Sequence, residues 1–177
     1  MTWIYKKTDD NKARFVLGEP GENSLVCIGV NPSTATPDRL DNTLRTVKKL
    51  SVQHGFDGWI MLNLYPQRAT NPNDMHEERN TSLHLENLRN AQDVFTFGHT
   101  TIWAAWGAIV EKRRYLPGCV QAIAELAARY NADWKTIGAR SKAGHPHHPL
   151  YLNHSLPLEP FDIDGYLRLI GKSGIAG

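Results

Sequence analysis

Four short stretches of this 177-residue chain hold the side chains best suited to chemistry, and each follows an apolar run. The first is "CIGVNPSTA" at 27–35. The Asn31 carboxamide both donates and accepts, so it can hold a water or read the edge of a base or sugar. Pro32 confines Asn31 to extended backbone and thereby fixes where its side chain points. Gly29 precedes it, and Ser33 and Thr34 add short hydroxyls and amides suited to a phosphate. The plain alternative is an Asx-turn at Asn31.

The second stretch, "WIMLNLYPQRAT", puts Asn63 where a buried strand would meet solvent. A buried Asn must be hydrogen-bonded, and a ligand could supply the partner. Tyr65, Arg68 and Thr70 follow and could stack, pair with an anion or cap; the alternative is a satisfied loop-end Asn beside a surface Arg. The third stretch ends in Trp106 and Gly107 of "AAWG". The fourth, "HPHHPLYLNH", holds His145, His147, His148 and His154, with Pro149, Leu150 and Tyr151. Its prolines stiffen a loop that could aim an imidazole at a ligand. A zinc site would need Cys or carboxylate partners at ligand spacing, so neither metal nor another cofactor is expected. Lys142, just upstream, is either a phosphate contact or plain surface. The chain has no G-x-S-x-G elbow, P-loop or G-x-G-x-x-G.

Strands and helices must hold these stretches in place. "TWIYKK" and "ARFVLGEP" bracket the polar turn "TDDNK", which predicts a hairpin within residues 1–20. "SLVCIGV" reads as a strand buried on both faces, "GWIMLNLY" and "TTIWAAWGA" as a second and third apolar run, and "WKTIG" as a short fourth strand. Between them lie helical patterns. Leu44, Val47, Leu50 and Val52 are spaced for a helix capped by Asp41 and stopped by Gly55. Leu83, Leu85 and Leu88 would face inward from "NTSLHLENLRNAQ". Val120, Ile123, Ala124, Ala127 and Ala128 form one stripe of an amphipathic helix over 119–131, and "GYLRLI" at 165–170 closes the chain as a helix. Alternating strands and helices predict an α/β fold, a three-layer α/β/α sandwich on a four-stranded, mainly parallel sheet. Ligands of such sheets bind at the carboxyl ends of the strands, where all four stretches fall.

Hydrophobic residues make up 41 % and charged residues 21 %, which fits one globular α/β domain over 1–177 rather than a disordered chain. The net charge of +2 permits nucleic-acid binding without arguing for it. Lys48-Lys49 and Lys112-Arg113-Arg114 read as solvated helix faces. Cys27 and Cys119 lack C-x-x-C spacing, and Cys27 reads as a small buried residue. With no signal-like or membrane-spanning run, a cytoplasmic protein without membrane partners is expected, a monomer favoured over an oligomer.

The motifs "GVNPSTA", "DNTLRT", "NLYPQRATNP", "AAWG" and "HHPLYL" together resemble, in order, the bacterial and phage family known as domain of unknown function 1643. Asn42 departs from it, standing where that family is expected to have Pro. More distantly, the chain is similar to uracil-DNA glycosylases. These carry a strand-end "G-Q-D-P-Y-H" or "G-I-N-P-G" loop, an "L-L-L-N" strand, an "L-L-W-G" strand and an "H-P-S" loop. The counterparts here are "GVNPST", "IMLN", "AAWG" and "HHPL".

That resemblance implies that Asn31 orients water, Asn63 reads the base and His148 contacts it, with Leu150 or Tyr151 wedging into a duplex. It puts Ser33 where some of these enzymes hold a Tyr against a 5-methyl group, so 5-substituted pyrimidines would fit. The expected partner is a nucleobase, nucleotide or DNA. The implied activity is N-glycosidic hydrolysis, in which base flipping and stabilisation of the departing anion carry the chemistry. An Asn cannot act as a general base, so binding without cleavage is the alternative. A different enzyme on the same scaffold, one modifying a base or nucleotide, is a third reading.

Overall fold

A computed structural model describes residues 2–172; Met1 and the last five residues of the expected 1–177 domain lie outside the described residues. The chain begins with β1 (Ile4–Lys7) and β2 (Arg14–Glu19), paired antiparallel as the predicted hairpin. Next come β3 (Ser24–Gly29), α1 (Asn42–Gln53) and β4 (Gly58–Asn63). Then follow α2 (Thr81–Phe95), β5 (Thr101–Ala104), α3 (Leu116–Ala128), β6 (Asp133–Ile137), β7 (Leu158–Pro160) and α4 (Ile163–Lys172).

The strands form one mixed sheet of seven, in the order β1-β2-β4-β3-β5-β6-β7. The expected four-stranded sheet is therefore corrected. Strands β4, β3, β5 and β6 do pair in parallel, but antiparallel strands extend the sheet on both sides. On one side β2 bonds to β4, so the hairpin is part of the sheet rather than a lead-in. On the other, β7 pairs with β6 through three residues, too few to show a periodicity.

Alternation along the strands divides the core between two faces. Leu25, Cys27, Trp59, Met61 and Trp103 pack with Leu44, Val47 and Leu50 of α1. Burying each of those three α1 side chains contributes roughly 1.5–3 kcal/mol. Val26, Ile28, Ile60, Leu62, Ile102 and Ala104 pack on the other face with α2, α3 and α4. The Asp41 carboxylate accepts the Leu44 N–H and caps α1, as expected, but Val52 is exposed and plays no part in its buried stripe. On α2 the buried residues are His84, Asn87, Ala91, Val94 and Phe95; Leu85 points to solvent. Leu83 and Leu88 do pack, half-buried, against this core, while two polar side chains with buried partners take much of the inner face.

β3 is central. Its crossover through α1 leads to the neighbour on one side, and the next crossover, through α2, returns to β5 on the other. A parallel sheet opens a crevice at the carboxyl ends of its strands where the connections diverge in this way. Among the described residues no helix is long and apolar enough to cross a membrane.

Candidate functional site

A cleft of about 430 Å³ lies at the carboxyl ends of β3, β4 and β5. Gly29, Asn31, Pro32, Ser33, Asn63, His148, Pro149, Leu150 and Tyr151 all line it. All four strand-end stretches thus reach one opening, the third through Ala105 rather than through Trp106.

Asn63, the last residue of β4, is 1 % exposed, yet neither its Nδ2 nor its Oδ1 has a hydrogen-bond partner. Its backbone is firmly held: the Asn87 side chain of α2 donates to the Asn63 carbonyl at 2.8 Å. The free atoms sit beside Gly29. An ideal Cβ there would lie 3.2 Å from Asn63 Oδ1 and 2.8 Å from Met61 Cε, so the missing side chain leaves room for both groups. A carboxamide with donor and acceptor both unused is complementary to the paired acceptor and donor of a cyclic amide, such as the N–H and C=O of a pyrimidine.

Asn31 is arranged differently. Its Nδ2 donates to the carbonyls of Ala69 (2.8 Å) and Pro32 (3.1 Å), and the Ala69 N–H donates to the Pro32 carbonyl at 2.9 Å. These bonds join the 31–33 and 67–70 loops and leave the Asn31 Oδ1 as the atom able to accept from a water or ligand. Ser33 and Thr70, both on the cleft, place their hydroxyls 3.2 Å apart.

His148 accepts the Leu150 N–H at Nδ1 (3.2 Å), which puts the proton of the neutral ring on Nε2. Burial pushes its pKa below the ordinary histidine value, with the Asp41 carboxylate opposing. The ring is therefore neutral at pH 7 and has one N–H to offer. Its loop is anchored by Gly107, at φ +60°, whose N–H donates to the Pro146 carbonyl at 2.9 Å. A Cβ at Gly107 would approach His148 Cβ to 3.4 Å.

The remaining expected residues lie elsewhere. Tyr65 is fully buried, accepts the Asn80 N–H and sits 2.7 Å from His76 Nδ1, so it organises the entry to α2. Arg68 reaches away from the cleft to the Ser33 and Ala35 carbonyls and the Tyr5 hydroxyl, bracing the loop from behind. Thr34 is exposed outside the cleft, and Lys142 is a surface residue. Trp106 faces the opposite core, where its Nε1–H donates to the Tyr166 hydroxyl (2.9 Å).

That contact begins a buried chain. The Tyr166 hydroxyl lies 2.8 Å from His145 Nδ1, and His145 Nε2–H donates to Glu111 Oε1 at 2.6 Å. Through Pro146, the chain ties the imidazole loop to the core. Tyr166→Phe strands two buried groups and should cost about 2–4 kcal/mol in urea unfolding.

Sequence reasoning missed several residues of the cleft. Arg14, Asp41, Asn42, Thr43, Met61, Ala105 and Ile109 also line it. The N-cap and first two residues of α1, Asp41, Asn42 and Thr43, supply three of them, at the place where Asn42 departs from the expected pattern.

Residues 14–150 match the family described as "Protein of unknown function (DUF1643)". No curated protein and no solved structure matches the chain.

Proposed function

The chain belongs to the DUF1643 family, and from that premise we propose that its strand-end cleft binds a pyrimidine-type base, as candidate site of a uracil-DNA glycosylase-like N-glycosidase. The observation that carries this reading is the Asn63 carboxamide, buried with both polar atoms unpaired on the wall of an open cleft. A buried polar group of this kind costs stability unless a ligand completes it. The four central parallel strands, in the order β4-β3-β5-β6, are compatible with the glycosylase-like fold within the larger mixed sheet.

In this reading Asn63 pairs with the amide edge of the base, while Asn31 Oδ1 orients a water toward the sugar carbon. As the C–N bond breaks, its electron pair leaves with the base, and His148 Nε2–H donates to the oxygen where negative charge collects. Water adds to the sugar carbon and its second proton passes to solvent. Leu150 and Tyr151, exposed at the rim, would support a nucleotide turned out of its stack.

The test measures release of free base from nucleotides and from oligonucleotides carrying uracil, thymine or a bulkier 5-substituted pyrimidine. Release is expected to tolerate the 5-substituent, because Ser33 leaves that space open, and to disappear in Asn31→Ala. Strict preference for uracil would overturn the Ser33 assignment. One observation favours binding without cleavage: residue 31 is an amide with no basicity. Ligand-induced stabilisation with no release of base would select that second reading.

A further inference from the structure

Arg14 is the other unfinished group in the cleft. It lies on β2, is 2 % exposed and lines the cavity. Its hydrogen bond is from Nη1 to the Ala35 carbonyl (3.2 Å), while Nε is buried with no partner. Among the described residues no carboxylate pairs with it. Buried arginines are rare and are ordinarily paired.

The surroundings increase the positive charge. Arg68 donates to the same Ala35 carbonyl at 3.2 Å, so two guanidinium groups converge on one acceptor. Burial first, then Arg68, push the Arg14 pKa down to about 10, which leaves it charged at neutral pH. Asn42 and Thr43, at the N-terminus of the twelve-residue α1, line the same cleft, where first-turn amides favour an anion. Asp41 also faces this space; its Oδ1 accepts the Leu44 N–H, and its negative charge offsets part of the positive field by favouring the charged form of Arg14.

We infer that Arg14 and the start of α1 form a phosphate subsite, so that the ligand of this cleft is a phosphorylated nucleotide rather than a free base. That the anion is a phosphate rests on the nucleobase reading; that the subsite takes an anion does not. A planar guanidinium suits a phosphoryl oxygen pair, whether borne by a nucleoside monophosphate or by a nucleotide within a strand.

The experiment uses the full chain, with inorganic phosphate, deoxyuridine, deoxyuridine monophosphate and a uracil-containing single strand as probes, read by thermal shift and titration calorimetry. Inorganic phosphate should raise Tm. The monophosphate should bind about 10- to 100-fold tighter than the nucleoside. In Arg14→Met both effects should vanish, while the unliganded Tm stays equal or rises, since an apolar chain replaces an unpaired cation. Arg14→Lys should keep part of the phosphate response.

No phosphate shift, or a phosphate shift that survives Arg14→Met, overturns the subsite. An Arg14-dependent phosphate shift with no response to deoxyuridine keeps the subsite and overturns the nucleobase reading. Preference for the monophosphate over the strand identifies a monomeric ligand, and the reverse a polymer.

Discussion

Asn63→Leu should make the unliganded protein more stable and the ligand-binding protein inactive. Leucine has nearly the same shape as asparagine but no polar atoms to leave unpaired. Removing two buried, unpartnered groups should add about 1 kcal/mol. At this chain length that raises Tm by about 2–4 °C. Base binding should fall about 10- to 150-fold, the worth of a bidentate amide pair.

The opposite signs make the test informative. A structural Asn would destabilise the protein on replacement and leave binding untouched, because its partners would lie within the fold. Here the partners given to residue 63 are on its backbone, through Asn87, and not on its side chain. Met61 Cε lies with Asn63 Oδ1 over Gly29, and a flexible thioether can move aside for a planar ring. A fall in Tm with unchanged affinity would remove Asn63 from the site.

The parts legible in the sequence were those written by local pattern. Asn31 and Asn63 stand out because each ends a continuous apolar run, and a central parallel strand ends at the ligand-binding edge. His148 stands out because prolines on both sides hold its loop out of a helix.

What stayed hidden depends on pairing. Arg14 opens a strand that reads as half of a hairpin; its buried position involves contacts distant in sequence, its N–H donating to the Pro66 carbonyl and its Nη1 to the Ala35 carbonyl. Trp106 follows Ala105 by one residue, and that single step carries it from the cleft to the opposite core. Tyr65 shares a motif with Asn63, but its ring is taken by His76 and Tyr115. Asn87 reads as a polar interruption between leucines until β4 supplies the carbonyl it binds. Motif position identifies the strand end, while the side of the sheet is decided by contacts distant in sequence.

If the cleft hydrolyses an N-glycosidic bond as proposed, the pH dependence of base release should reveal the part His148 plays. Burial lowers its folded-state pKa beneath the unfolded value near 6.5. The unfolded chain then binds more protons between those two values, so stability rises with pH across that interval. The contribution is complete above about 6.5 and is lost as pH falls toward the lowered value. His54 and His84, also lowered by burial, act in the same direction. Comparison with His148→Asn separates the share of residue 148, because Asn can still accept the Leu150 N–H and offer an N–H to the ligand.

Base release should follow the neutral ring. It is expected to be flat from pH 8 to 6.5 and to decline only below that, as the ring gains its second proton and the Leu150 N–H loses its acceptor. His148→Leu should lower kcat by about 100- to 1,000-fold, the cost of removing one donor to a developing anion. The remaining activity should lack the acid limb. A rate that climbs as pH falls through 6.5 would require the imidazolium as the working form. That outcome cannot be reconciled with an Nδ1 already occupied as an acceptor, and it would transfer the acid role to another group in the cleft.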